Sequence, residues 1–239
     1  MPSPSSQTRL FLINLINHGV ELFLDNAFLN RIEKNLLTKE EWHTFAVQRY
    51  LSATPFEDLL EACEAAARRD GLVDLAEVIE SNLRDERGID AEGTRHEHLS
   101  HSTWRKNFYQ AIGISELELT STTPSVATKE YQETVRGLVK TDDPLIMAGG
   151  LLVLEAIIPR EFAKLKSGRD QMFPNLSDEA KLYIDDHIVH DAKAHYPDLL
   201  AALSDLANSE TVRTRIASGI NLMVEVKKRF YERLQQSHS

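Results

Sequence analysis

From Leu145 to Ile158 the chain runs Leu-Ile-Met-Ala-Gly-Gly-Leu-Leu-Val-Leu-Glu-Ala-Ile-Ile, 14 residues with a single charge at Glu155. Asp143-Pro144, immediately before it, supplies a capping side chain and a proline suited to a first helical turn, so the run reads as a helix. A helix that is apolar on every side has to be wrapped by other elements. A membrane-spanning helix needs about 20 such residues. The run is therefore expected at the centre of a water-soluble core.

The signals on either side of it are also helical. Thr38-Lys-Glu-Glu41 and Thr54-Pro-Phe-Glu57 both read as capping boxes, and Ser177-Asp-Glu opens a helix with acids where its dipole favours them. No stretch alternates β-branched with polar residues, and no Asn-Gly or Asp-Gly turn joins two such runs. Helices are predicted near 7–18, 22–36, 39–52, 55–69, 72–86, 100–113, 126–139, 144–166, 178–204 and 207–235. Breaks are predicted at Ala53 to Pro55, Gly88 to Gly93, Ser121 to Ser125 and Ser167 to Pro174. No long low-complexity linker and no internal repeat divides the chain, so residues 1–239 read as one all-α domain.

Composition narrows the class of partner. With 27 Lys+Arg against 37 Asp+Glu the net charge is −10, which argues against a nucleic-acid binder and against docking on an anionic membrane. Cys63 is the one cysteine, so an intrachain disulfide and a cysteine-based zinc site are both excluded. A reducing cytoplasm is the expected compartment, and the N-terminal residues show no uninterrupted apolar signal-peptide core.

The histidines are grouped. Of nine, three lie in His96-Glu-His98-Leu-Ser-His101 and three in His187-Ile-Val-His190-Asp-Ala-Lys-Ala-His195. Imidazole is the commonest metal ligand, although a single such group would be read as a histidine-rich surface helix. In the second group His187, Asp191 and His195 are spaced i, i+4, i+8 and fall within an arc of about 80° on a helix. Tyr183, one turn earlier, extends that face; His190 flanks it, and Asp185 and Asp186 read as solvated. Glu155 is the acid that needs explaining, because an unpaired buried carboxylate costs several kcal/mol. A bound metal, an arginine from another helix or a position at the helix rim would each account for it. Glu86, in a charge run before Gly88, is unremarkable by residue type alone.

Together these segments resemble the haem-oxygenase-like di-iron oxidases and oxygenases, an all-α family related in fold to the TenA and PqqC proteins. The resemblance rests on Asn82-Leu-Arg-Asp-Glu86-Arg-Gly88, on His101-Ser-Thr-Trp104 through Gly113, on Glu155 in its apolar helix, and on His187-x-x-x-Asp191 followed by His195, in that order over residues 40 to 205. It implies a single-domain haem-oxygenase-like helical bundle with metal ligands Glu86, His101, Glu155, His187, Asp191 and His195. Glu155 and Tyr183 become the catalytic candidates. The first histidine group leaves His96, His98 and His101 open; spacing to Gly113 favours His101, with His98 in reserve. The family ends in Asp-x-x-His, whereas position 194 here is Ala and the histidine comes one later. A π-bulge would restore the facing of His195; otherwise His195 touches a ligand instead of the metal.

The implied cofactor is iron, two ions, with manganese as an alternative, and dioxygen as co-substrate; mixed carboxylate and imidazole ligation suits either metal. The implied reaction is attack on a C–H or nitrogen-bearing group of a small organic substrate such as an amino acid or fatty acid. Arg160, Arg105 and Lys106 are candidates for a substrate carboxylate, and surface salt bridges explain them equally well. A small-molecule partner is expected, with no nucleic acid, no membrane, and a homodimer as an open option. The competing readings are a metal-free PqqC- or TenA-like helical enzyme and a non-catalytic helical interaction protein. A ferritin-like bundle would need two Glu-x-x-His motifs, and only Glu40-Glu-Trp-His43 fits. A TenA-like thiaminase would need a cysteine in the second half of the chain, and Cys63 reads as a small core residue.

Overall fold

The computed structural model describes residues 4–236; the side chains of residues 4–6 and of Asp191 lie outside the described residues. Twelve α-helices follow one another: α1 (Pro4–Leu24), α2 (Ala27–Glu33), α3 (Lys39–Ser52), α4 (Phe56–Arg69), α5 (Val73–Arg87), α6 (His101–Ala111), α7 (Glu116–Ser121), α8 (Val126–Lys140), α9 (Pro144–Met172), α10 (Asp178–Lys193), α11 (His195–Leu206) and α12 (Glu210–Gln236). A short 3-10 turn, Glu97–Leu99, precedes α6, and the β-type pairing among the described residues is an isolated bridge between Ile89 and Arg95. The all-α class expected from the sequence is the class observed.

Helix α9 is the central element. At 29 residues it is roughly 43 Å long, and it packs against α1, α2, α4, α8, α10, α11 and α12. Its apolar first half is almost entirely buried, Met147, Leu151, Leu152 and Val153 completely so. Asp143 caps it as expected, accepting from the N–H groups of Leu145 and Ile146. The crossing with α12 is close enough to require glycine. A Cβ at Gly219 would lie 1.9 Å from the Ile146 carbonyl oxygen, and one at Gly149 2.2 Å from that of Ile216.

Several boundaries differ from expectation for identifiable reasons. The helices expected at 7–18 and 22–36 are redistributed, because α1 runs on through Gly19. That glycine accommodates Val224 of α12, 2.7 Å from where a Cβ would stand, and does not end the helix. The Thr38 capping box forms with Glu41, but the one expected at Thr54 does not. The Thr54 hydroxyl instead donates to the Leu51 carbonyl at the end of α3. The break placed at Ser167 begins only after Met172, since α9 continues past Pro159 and Ser167. The helix expected over 178–204 is two helices separated at Ala194, and the one expected from 207 begins at Glu210. Cys63 is buried and gives its thiol to the Pro144 carbonyl, as a core residue would; burial pushes that thiol well up from its ordinary range.

Candidate metal centre

Helix α5 ends in Asp85-Glu86-Arg87 and is closed by Gly88 in a left-handed conformation, φ 64°. A side chain at Gly88 would be strained by that φ, and its Cβ would also lie 2.6 Å from the His96 carbonyl oxygen and 2.7 Å from the Ser100 nitrogen. The loop carrying the first histidine group thus folds directly back on the end of α5. Ser100 caps α6, and His101, its first residue, is delivered beside Glu86. His101 Nδ1 lies 2.9 Å from Glu86 Oε1. Of the three candidates, His101 is the one brought to this site: His96 turns back to Asp90 at 2.7 Å, and the His98 ring packs on His96.

His187 comes from α10 and completes the group. Its ring centroid is 4.5 Å from that of His101, and Glu86, His101 and His187 offer one ligand atom each within 4.8 Å of one another. Tyr183 and Phe162 hold the imidazole from two sides, with centroids at 5.1 and 5.0 Å, and Trp104 stacks on His101 at 4.9 Å. Burial pushes the His187 imidazole down to about 3, helped by the charge of His101 and opposed by that of Glu86. Burial works to raise the Glu86 carboxyl, but the charge and hydrogen bond of His101, with His187 and Arg105, outweigh it and hold the group at about 2. At neutral pH His187 is thus neutral and Glu86 anionic, the protonation states a metal ligand requires. Burial raises the Tyr183 phenol, which stays protonated.

A second group lies alongside. The break at Ala194, φ −117° and ψ −72°, ends α10 one residue before His195 and starts α11 with it. The re-aiming expected of a π-bulge is accomplished by a helix break. His195 Nε2 reaches Asp85 Oδ2 at 3.1 Å and His190 Nε2 reaches the same oxygen at 3.3 Å. Asp85, His190 and His195 form a second set of ligand atoms within 4.8 Å. Burial acts to raise the Asp85 carboxyl, yet the hydrogen bonds and charges of His195 and then His190 keep it below the ordinary carboxylate range. Glu155 is 3% exposed and stands between the groups. It lines one cavity with Glu86, His101 and His187, while its Oε2 lies 3.6 Å from His195 Nδ1.

Of the residues singled out from sequence, Glu86, His101, Glu155, His187 and His195 are thus brought to one region with Tyr183 behind them. Asp191 lies on α10, and its side chain is outside the described residues. Asp185 is not merely solvated: it accepts from the fully buried Arg169 at 2.8 Å. Sequence reasoning passed over Asp85 and gave His190 only a flanking place; adjacency to Glu86 was the available signal. It also missed Arg49 and Lys227, which line the cavity and share the fully buried Glu161 of α9, at 3.2 and 2.6 Å.

The residues fit a transition-metal ion. Each group pairs two imidazoles with one carboxylate, a donor set suited to non-haem iron. In the first, the buried Nδ1 of His187 makes no hydrogen bond of acceptable geometry; the Tyr183 carbonyl one turn earlier only favours its protonated form.

A comparison with curated proteins finds no match. Among solved structures the chain is similar to a CADD-like protein of unknown function from Nostoc punctiforme, at 16% identity over 95% of this chain and 98% of that one, with a TM-score of 0.77. It is similar to a TenA homologue from Pseudomonas syringae pv. tomato, at 12% identity over 95% and 92%, with a TM-score of 0.77. A domain of unknown function with a haem-oxygenase-like fold from Shewanella denitrificans matches at 12% identity over 94% and 90%, with a TM-score of 0.72. At these identities the likeness establishes the fold, a haem-oxygenase-like helical bundle. Residues 43–228 match the family described as "Iron-containing redox enzyme", and they span both histidine groups, Glu86 and Glu155; the chain belongs to that haem-oxygenase-like family of iron-containing redox enzymes.

Proposed function

We propose that the chain holds two iron ions and uses dioxygen to oxidise a small organic substrate in the cavity beside Glu86 and His101. One observation carries this reading: two sets of two histidines and a carboxylate, drawn from the consecutive residues Asp85 and Glu86, with the buried Glu155 between them. Glu86, His101 and His187 would hold one ion; Asp85, His190 and His195 would hold the other, and Glu155 would be shared. When bound, such ions supply the redox chemistry with dioxygen that amino-acid side chains cannot. The chain's own residues orient and exclude. Tyr183 and Phe162 fix the His187 ring, Trp104 fixes that of His101, and the apolar wall of Leu154, Ile158 and Phe162 keeps bulk water from the reacting groups. Glu155 and Tyr183 are the groups placed to hold or pass a proton; the phenol is protonated at neutral pH.

The test is reconstitution. Protein loaded anaerobically with ferrous iron and desalted is expected to retain close to two equivalents and to consume oxygen when given substrate. Retention of no iron, manganese or zinc would overturn the metal reading in favour of a metal-free enzyme of the same fold.

A further inference from the structure

Three cations line the cavity, and two of them are already committed. Arg49 and Lys227 both pair with Glu161. Arg105 forms no ion pair and no hydrogen bond within the protein among the described residues. Its Nε is buried without a partner, and its guanidinium lies over the Tyr50 ring at 5.3 Å. Arg105 stands one turn after His101 on α6, so both side chains face the cavity that Glu86 and His187 also line. Glu86 feels its charge but is occupied by His101. Of the other cations considered from sequence, Lys106 pairs with Glu116 at the surface and Arg160 is exposed outside the cavity wall.

We propose that Arg105 receives the carboxylate of the substrate, and that the cavity therefore selects small monocarboxylates with a compact apolar body. This rests on the reading that the cavity is the active site. An arginine presents a planar fork that matches a carboxylate bidentately, and stacking on an aromatic ring fixes the plane of that fork. The same cavity is also lined by the apolar side chains of Phe56, Leu59, Val135, Leu154, Ile158 and Phe162. The free space is about 60 Å³, several times the roughly 10–15 Å³ one water needs.

The test is calorimetric titration of iron-loaded protein under nitrogen with butanoate, hexanoate and octanoate, each against its uncharged primary amide. At least one acid is expected to bind 10-fold or more tightly than its amide. Arg105→Gln is expected to weaken that acid by roughly 10- to 100-fold, the range of one charge-assisted pair, with the amide and the iron content unchanged. Arg105→Lys, which keeps the charge but not the fork, is expected to recover part of the loss. Three results overturn the proposal: no acid binds, acid and amide bind alike, or Arg105→Gln keeps the preference, which would assign the carboxylate to the metal or to Arg49. Iron loss in Arg105→Gln overturns it as well, since Arg105 would then serve Glu86. Failure of the wild type to retain metal would sink the metal reading alone, because an Arg105-dependent preference measured on the metal-free protein would survive it.

Discussion

Replacing Glu161 by glutamine, a change of one atom's size, should strongly destabilise the protein. Glu161 is completely buried between α9, α3 and α12, and it neutralises Arg49, with an 11% exposed side chain, and Lys227, at 4%. Tyr231 donates its hydroxyl to the same carboxylate. The glutamine amide would keep the volume and an oxygen for Tyr231 but strand two buried cations. Burial already pulls the Lys227 ammonium down to about 8 against the pull of Glu161, so Lys227 can shed its proton and limit its share of the cost. Arg49 cannot deprotonate. Removing one partner of a buried pair costs about 3–5 kcal/mol, which for a chain of this size lowers the midpoint of thermal unfolding by about 6–20 °C. Thermal and urea unfolding followed by circular dichroism would measure it. The triple change Arg49→Met, Glu161→Leu, Lys227→Met should return most of the loss, because an apolar replacement of a whole buried network is often neutral. A midpoint within about 2 °C of wild type for Glu161→Gln alone would refute the reasoning, since it would mean that water or another carboxylate already compensates these cations.

Glu155→Ala should reduce iron retention and abolish oxygen consumption in protein that stays folded, whereas Asp186→Ala, at a half-buried position of α10 without a role in either histidine group, should leave metal content unchanged; metal analysis of the two variants side by side decides this. In metal-free protein His187 lies at about 3 against an ordinary 6.5, so the unfolded chain binds its proton first and stability present above pH 6.5 is lost as pH falls toward 3. The loss should be on the order of 3 kcal/mol by pH 4.5, and His187→Gln should flatten that limb of the urea-unfolding profile. Gly219→Ala should cost at least about 1–3 kcal/mol by forcing α9 and α12 apart, seen as a lowered urea midpoint; a wild-type midpoint would show that the crossing can relax freely.

The central helix, the all-α class and most of the site were legible in the sequence because each rests on a local signal. The 14-residue run with one acid forces a wrapped helix, and Asp143-Pro144 marks its start whatever packs around it. His187 and His195 were legible as imidazoles grouped in one helical segment, and His101 by its spacing to Gly113 in the motif that carries the resemblance. What was not legible depends on the partner helix. Gly19 reads as a break until Val224 is known to lie against it, and Thr54 reads as a cap until the end of α3 takes its hydroxyl. Asp85 had only its adjacency to Glu86 to mark it in sequence, and its partners His190 and His195 emerge only with the break at Ala194. The Arg49–Glu161–Lys227 network joins residues 112 and 66 positions apart, and no local pattern marks it.

The consecutive acids at the end of α5 explain how one helix can serve two groups of ligands. Neighbouring side chains on a helix point about 100° apart, so Asp85 and Glu86 cannot both face His101. Glu86 takes that direction, and Asp85 is left facing α10 and α11. A continuous helix over 178–204 would keep His187 and His195 on one stripe, only about 80° apart but some 12 Å along the axis, roughly 1.5 Å for each of eight residues. The second histidine would then lie beyond reach of an acid one residue from Glu86. Breaking the helix at Ala194 turns His195 back within 3.1 Å of Asp85 and 3.6 Å of Glu155. The extra residue before His195, set against the family's Asp-x-x-His spacing, is therefore absorbed by the break between α10 and α11. Ala is the best helix former, so the break is set by Pro197, which has no N–H to give the Lys193 carbonyl and would clash with it in a continuous helix. Pro197→Ala, by allowing helix across Ala194, should loosen His195 while leaving Glu86, His101 and His187 in place, read as a lowered metal stoichiometry.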